Sequence, residues 1–324
     1  MSVLVTGGAG YIGSHTVKLL DEKGYDVVVF DNLSRGHIES LPKNAKFENI
    51  DLLNSPRLKE DIKKYNIDAV IHFAALAYVG ESVERPDLYY TNNVIGSLNL
   101  LNVLKENEIK KFIFSSTCSL YGNPKKTPIS ENQKENPINP YAKTKYVIEN
   151  MLKDFDSSFG IRFVSLRYFN AAGASFDSCI GESHDPETHL IPLVLYAALG
   201  KRDKVVIFGD DYETADGTCI RDYIHVDDLA EAHVKALEYL EENNRSSIIN
   251  LGSGKGYSVK EVVDIAREVT NITFDMEVCG RRPGDPAVLI ADNKKARQVL
   301  NWQPKFDLYD IIKSACNWHK NQRY

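Results

Sequence analysis

The sequence predicts an α/β fold: a doubly wound parallel sheet of the Rossmann kind, with a smaller α/β lobe at the C-terminal end. Three observations carry this. Short apolar runs alternate with helical segments over the first 115 residues. A glycine-rich turn, Gly8-Ala9-Gly10-Tyr11-Ile12-Gly13, follows the first apolar run and opens the first helical segment. After Asn170 the texture changes to shorter elements. Strand–helix alternation implies a parallel sheet covered on both faces.

The strands are expected at Val3–Thr6, Val27–Phe30, Lys46–Ile50, Ala69–Phe73 and Phe112–Ser115, and the pattern continues with Arg162–Leu166. Helices are expected at Ile12–Lys23, closed by Gly24, at Asp87–Asn107 and at Tyr141–Phe159. Gly173–Thr188 reads as a long loop. His189–Leu199, Lys204–Phe208, Val226–Glu241, Ser247–Leu251, Ser258–Val269, Asn293–Leu300 and Leu308–His319 follow as short helices and strands. This places a nucleotide-binding domain over residues 1–170 and a substrate lobe over 171–324. Glycines follow Ser247–Leu251, so the chain is expected to re-enter the sheet there.

Bulk properties exclude several classes. The 324 residues carry a net charge of −6, with 43% hydrophobic and 26% charged residues. That is ordinary for a soluble globular chain and gives no basic excess for a nucleic-acid partner. No apolar run reaches membrane-spanning length, and the N-terminus enters a strand without a leader pattern. The five cysteines are odd in number, widely spaced and free of Cys-x-x-Cys. Reduced thiols in the cytoplasm are expected, and no metal ligands.

The glycine turn fits the dinucleotide pattern G-x-G-x-x-G in its required context. Small residues let the backbone approach a pyrophosphate, which the helix N-terminus favours. Asp31 ends the second strand where a carboxylate is expected to hold a ribose 2′-hydroxyl, so NAD is favoured over NADP. Arg35 and His37 would offset that preference if they folded back. Asp51-Leu52 follow the third strand and lie near the adenine, or Asp51 is a strand-end turn residue.

Tyr141 and Lys145 stand one helical turn apart on one face. A phenol titrates near 10, too high for a base at neutral pH, and a nearby ammonium favours the phenolate. Ser115, Ser116 and Thr117 lie at the exit of the fifth strand, where ligands of open α/β sheets sit. Strand phase does not choose among the three hydroxyls.

These residues resemble the extended short-chain dehydrogenase/reductase family over nearly the whole chain. Val5-Thr6-Gly7-Gly8-Ala9-Gly10-Tyr11-Ile12-Gly13-Ser14-His15, Asp31-Asn32-Leu33, His72-Phe73-Ala74-Ala75, Val79-Gly80-Glu81-Ser82, Tyr89-Tyr90-Thr91-Asn92-Asn93, Arg167-Tyr168-Phe169-Asn170, Arg221-Asp222-Tyr223-Ile224-His225-Val226 and Asn250-Leu251-Gly252 carry it. Within the family they are similar to nucleotide-sugar enzymes that invert C4 of a UDP-hexose through a transient 4-keto sugar with bound NAD.

The resemblance implies roles. Tyr141 is the base and acid at the sugar 4-hydroxyl, Lys145 tunes it and binds the nicotinamide ribose, and Thr117 bonds the same sugar oxygen. Gly7, Gly10, Tyr11, Ile12, Gly13, Asp31, Asn32, Asp51, Leu52, Phe73, Asn92 and Tyr168 surround NAD. Asn170, His189, Leu190, Val206, Phe208, Arg221, Arg282, Asp285 and Leu289 hold the UDP-sugar. It also implies a homodimer paired through Asp87–Asn107 and Tyr141–Phe159.

Three positions depart from the common pattern. Leu289 replaces a bulky Tyr of some relatives, leaving room for a 2-acetamido group. Ala77 stands where a Lys is often found, and His189 where an Asn is common. Rival activities are a 4,6-dehydratase, a decarboxylase and a non-catalytic NAD-binding sensor. Relatives that dehydrate place Asp-Glu where Cys118-Ser119 stand. A decarboxylase needs an extra cation near Thr117, and a sensor can dispense with the Tyr/Lys pair.

Overall fold

The computed structural model describes residues 1–282 and 285–324. Six strands, β1 (Ser2–Thr6), β2 (Asp26–Asp31), β3 (Lys46–Asn49), β4 (Ala69–His72), β5 (Lys111–Thr117) and β6 (Arg162–Tyr168), join Ser247–Leu251 in one seven-stranded sheet. The order is Ser247–Leu251, β6, β5, β4, β1, β2, β3. Its pairings are all parallel. The strand order reverses between β1 and β4, the switch point at which open α/β sheets bind ligands. The fold class expected from the alternation is the one observed.

Apolar residues cover both faces, as a parallel sheet requires. On one face Val3, Val5, Val27 and Val29 pack with Val17 and Leu20 of the first helix, Tyr11–Glu22, and with Leu229 and Leu237 of Val226–Asn243. On the other, Leu4, Val28, Phe112 and Phe114 pack with Leu100 and Leu104 of Gly96–Glu106 and with Ile148 and Leu152 of Pro140–Phe159. Because the pairings are parallel, the strands end on one side of the sheet, which gathers Gly7, Asp31, Phe73, Thr117 and Tyr168.

The single helix expected over Asp87–Asn107 is broken. Pro86–Tyr89 leads into a π-helical turn, Tyr90–Ile95, before Gly96–Glu106 resumes the α-helix. Such turns place an extra residue in the helix and recur at functional sites. Asn93 secures this one: its amide donates to Leu76 O at 3.0 Å and Thr144 Oγ1 at 3.1 Å, and its carbonyl accepts from Leu76 N at 2.8 Å. Two further helices, Ser55–Ile62 and Val79–Glu84, lie outside the elements read from periodicity.

Beyond residue 170 several strands are only two or three residues long. Asn170–Ala172 pairs with Tyr223–His225, and Lys204–Phe208 with Asp275–Cys279. Ile220–Arg221 lies between Tyr257–Ser258 and Val288–Leu289. Leu190–Ala198, Val259–Thr270 and Leu308–Lys320 bury a second cluster around Val194, Val262 and Ile312. No described helix is long and apolar enough to cross a membrane.

Candidate active site

The glycine turn leaves no room for side chains. A Cβ on Gly7, whose φ is +71°, would lie 2.4 Å from Ala74 N, and one on Gly13 would lie 2.2 Å from Gly7 O. The turn delivers the chain to the start of the first helix, where the Gly10 cap contributes no side-chain bond and no acidic residue fills the first turn. The N–H groups there have no intrahelical partner, and their dipole favours an anion. Tyr11 leaves this turn to donate its hydroxyl to Gly173 O at 2.6 Å, while Ile12 packs against the sheet core.

Asp31 is buried at the end of β2. It accepts from Ala9 N at 3.0 Å and Leu33 N at 2.8 Å, and burial raises its carboxyl above the ordinary value. Asn32 donates to Asp51 at 3.1 Å, and Asp51 also accepts from Leu53 N at 2.8 Å within the strand-end turn. Leu52 is buried against Gly96. The backbone at His37 packs on the glycine turn, donating to Ala9 O at 3.0 Å, but the Arg35 and His37 side chains are engaged elsewhere. Arg35 pairs with Glu81 at 2.8 Å and lies 4.7 Å over Tyr78, and His37 stacks on Tyr324 at 4.7 Å. An acidic strand end without those cations suits the free 2′-hydroxyl of NAD. The glycine cradle, open helix terminus and Asp31 together fit that dinucleotide.

Across the switch point, Phe73 is half-buried against His233, their ring centres 4.6 Å apart. Asn92 donates to the Asn93 carbonyl at 2.9 Å, which fixes it on the π-helical turn. Tyr168 ends β6 with its hydroxyl bonded to Ser115 Oγ, and burial raises its phenol.

Pro140–Phe159 starts where Asn139 accepts from Ala142 N at 2.9 Å, with Pro140 in the first turn. Tyr141, Lys145 and Glu149 follow at intervals of four, so they share one face. All three are buried, at 9%, 2% and 0% exposure. Lys145 Nζ donates to Ser115 O at 2.8 Å and lies 4.9 Å over the Phe114 ring. The structure also separates the three hydroxyls at the β5 exit. Ser116 donates to Glu149 at 2.7 Å, Ser115 meets Tyr168, and Thr117 stands beside Tyr141. Thr117 also caps Ser119 N at 3.1 Å.

Burial pushes the Tyr141 phenol up to about 12, with Thr117 opposing the rise and Cys118 adding to it. Burial likewise pulls the Lys145 ammonium down to about 7, against the attraction of Glu149. In the ligand-free protein the lysine therefore does not lower the phenol as its position on the helix suggests: desolvation acts on both groups and outweighs their spacing.

The other half of the cleft is built from the short strands. Arg282 lies 4.0 Å over the Phe208 ring, and Arg221 meets Asp285 at 2.5 Å with its side chain 11% exposed. Leu289 registers with Arg221 and packs on a cluster of Cys118, Tyr121, Ile129, Phe169 and Ala291. Asn170 donates to Asp222 O at 2.9 Å, Leu190 begins its helix half-buried, and Val206 is half-buried within Lys204–Phe208. Ala77 is exposed. His189 is more than a helix start. Its Nδ1 lies 2.8 Å from Glu182 and 2.9 Å from Glu187, and His184 joins the same group.

Sequence reasoning missed Glu149, Asn93 and this His/Glu group. Glu149 had a signal, since it continues the four-residue spacing of Tyr141 and Lys145. So did Glu182-x-His184-x-x-Glu187-x-His189, in which acids and imidazoles alternate.

The Lys145 shift has a consequence for stability. An unfolded lysine titrates near 10.4, so between about pH 7 and that value the unfolded chain binds more protons and stability rises with pH. In nucleotide-stripped protein, the unfolding free energy of the wild type relative to Lys145→Met is expected to rise by about 1–3 kcal/mol from pH 7 to 9. Urea denaturation measures it; parallel pH curves would show that Lys145 keeps its ordinary value in the fold.

Residues 3–252 match the NAD dependent epimerase/dehydratase family. The chain is 53% identical over 318 residues to a UDP-glucose 4-epimerase of Rhizobium leguminosarum bv. trifolii, spanning 98% of this chain and 97% of that relative. Its fold is similar to UDP-glucose 4-epimerase from Brucella ovis in complex with NAD, with TM-score 0.95, 50% identity and coverage of 98% and 97% of the two chains. It is also similar to the UDP-Glc/GlcNAc 4-epimerase from Campylobacter jejuni, with TM-score 0.87, 43% identity and coverage of 98% and 99%. The chain belongs to the NAD-dependent epimerase/dehydratase family.

Proposed function

We propose that this site inverts C4 of a UDP-hexose, exchanging UDP-glucose and UDP-galactose. The observation that carries the reading is the buried Tyr141–Lys145 pair beside Thr117, at the β5 exit and across the switch point from the glycine cradle. The cradle, Asp31 and Lys145 hold NAD. When bound, NAD would supply hydride exchange at C4, by way of the 4-keto sugar, and positive charge to the site.

Tyr141 takes the proton from the 4-hydroxyl and later returns it, and Thr117 orients that oxygen. Lys145 lies one helical turn from Tyr141, and in its ammonium form it would favour the phenolate. Arg221, Arg282 and Phe208 anchor the UDP portion, since arginines suit a pyrophosphate and an aromatic ring suits uracil. Anchoring through UDP leaves the sugar free to present either face, so the binding energy comes from a part that does not react. Cys118 occupies an acid's place in dehydrating relatives, and its thiol, raised to about 12 by burial, is no acid/base group at neutral pH.

Removing the phenolic oxygen tests the assignment. Tyr141→Phe is expected to lower the rate of UDP-galactose conversion about 10²–10⁴-fold while the protein stays folded. Retention of more than a tenth of the rate, read by NMR of the products, would remove Tyr141 from the proton transfer.

Leu289 bears on the sugar accepted. A Leu on the short strand beside Arg221 leaves space that a Tyr would fill, so UDP-GlcNAc and UDP-GalNAc are also substrates in this reading. Wild type is expected to turn over UDP-GlcNAc, and Leu289→Tyr to lose that activity at least about tenfold while keeping UDP-galactose. No UDP-GlcNAc turnover by wild type would end the argument.

The chain also pairs with a second copy in this reading. Val83, Ile95, Leu98 and Phe159 are 62%, 47%, 37% and 42% exposed on Val79–Glu106 and Pro140–Phe159, an apolar surface suited to an isologous contact. Sedimentation is expected to give twice the 36.5 kDa chain mass, and Ile95→Glu to shift it to the monomer. A wild-type monomer at micromolar concentration would contradict the pairing.

A further inference from the structure

Glu182, His184, Glu187 and His189 bring four ligand atoms within 4.8 Å of one another. We propose that they form a binding site for one transition-metal dication of the Zn²⁺ class, which fastens the 182–189 segment over the nucleotide-binding turn. The set is chemically mixed, two imidazole nitrogens and two carboxylate oxygens, the ligand types that Zn²⁺ takes in four-coordinate sites.

Three observations point to an ion. The first is spacing. Atoms about 2.0–2.2 Å from a tetrahedral ion stand about 3.4 Å from each other. Here His189 Nδ1 lies 2.8 Å from Glu182 Oε1 and 2.9 Å from Glu187 Oε1, and His184 Nδ1 lies 3.1 Å from Glu182 Oε1 and 3.6 Å from Glu187 Oε2; these direct contacts already gather the four groups, and an ion between them requires most of the pairs to spread by a few tenths of an ångström.

The second is an unsatisfied atom. The Glu187 side chain is 4% exposed, and its Oε2 is buried without a hydrogen-bond partner on the side that faces His184. The hydroxyl of Tyr78, whose ring lies 5.7 Å from that of His184, is likewise buried without a partner. Buried polar atoms left unpaired are uncommon and call for a ligand or water. The third is charge. Glu182 and Glu187 are 5% and 4% exposed and face His184 and His189 as ion pairs; a single dication would take over that neutralisation, displacing the protons from the two imidazoles it binds.

The location explains what the ion would do. His184 sets its ring edge-on against Tyr11 at 6.1 Å, on the first turn of the nucleotide-binding helix. Trp318 Nε1 donates to Glu182 O at 2.8 Å, and Arg35 to Asp185 O at 3.0 Å. The segment thus bridges the C-terminal helix, the Leu190–Ala198 helix and the glycine turn. His189, 48% exposed, gives the ion its way in. An ion held there would add a further tie to a long loop already held by these ion pairs and hydrogen bonds.

Full-length protein treated with a chelator and dialysed is titrated with Zn²⁺ against a chromophoric competitor. One equivalent per chain is expected, with a Kd tighter than about 1 µM. Glu182→Gln and His184→Gln, checked for folding by circular dichroism, are expected to weaken it at least about tenfold. Co²⁺ substituted into wild type is expected to give the visible bands of a four-coordinate nitrogen/oxygen site. Absence of stoichiometric Zn²⁺ binding by wild type overturns the proposal. So does undiminished binding by both variants, or a Co²⁺–thiolate charge-transfer band, which would place the ion on cysteine.

Discussion

The site depends on how one helix is fixed against the ends of two strands. Tyr141, Lys145 and Glu149 lie along a single buried stripe of Pro140–Phe159, and Glu149 sets the stripe's rotation. Its carboxylate is fully buried and accepts from Ser116 on β5, Ser165 on β6 and Arg167 Nε, at 2.7, 2.7 and 3.0 Å. Arg167 continues outward to Glu135 at 2.7 Å and the Tyr121 hydroxyl at 3.0 Å, which in turn donates to Asn250 at 2.7 Å on Ser247–Leu251. Burying such a pair is costly unless the remaining polar atoms are bonded, and here they are. The network yields little net stability but great directional constraint. One turn above it, Lys145 reaches Ser115 O, and one turn above that, Tyr141 reaches Thr117.

That constraint sets the electrostatics. A helix face held close enough to place a phenol at the strand exit also removes it from water. Desolvation then holds both Tyr141 and Lys145 toward their neutral forms in the ligand-free protein. The site is thus a low-dielectric space in which an added charge acts at short range with little screening.

The sequence made the scaffold legible because its signals are local and repeated. Five strand runs and the glycine turn each sit within a few residues of their observed limits, since apolar β-branched runs and positive-φ glycines need no knowledge of distant contacts. Long-range pinning is what escaped. Asp87–Asn107 has continuous helical periodicity, and only the bonds from Asn93 to Leu76 and Thr144 reveal why an extra residue is accommodated at Tyr90–Ile95. Two- and three-residue strands such as Ile220–Arg221 and Val288–Leu289 are too short to show any period. Of the three hydroxyls at the β5 exit, the choice fell to partners on Pro140–Phe159 and β6, which phase alone does not specify.

The Arg221 end of the cleft shows the same limit more sharply. Read by themselves, Arg282 and Asp285 suggest a surface ion pair in a loop, of small consequence; in the fold Asp285 pairs with Arg221. In the fold Arg221 is nearly buried, and among the described residues its recorded bonds go to Ile220 O at 2.9 Å and Asp285 at 2.5 Å. A guanidinium carries five donors in a planar fork and loses its hydration when buried. Two partners leave donors of that fork without a bond among the described residues, an arrangement that does little for stability and that agrees with the anion-binding role proposed for it. In that proposal the cost of burying the arginine is offset when the anion arrives.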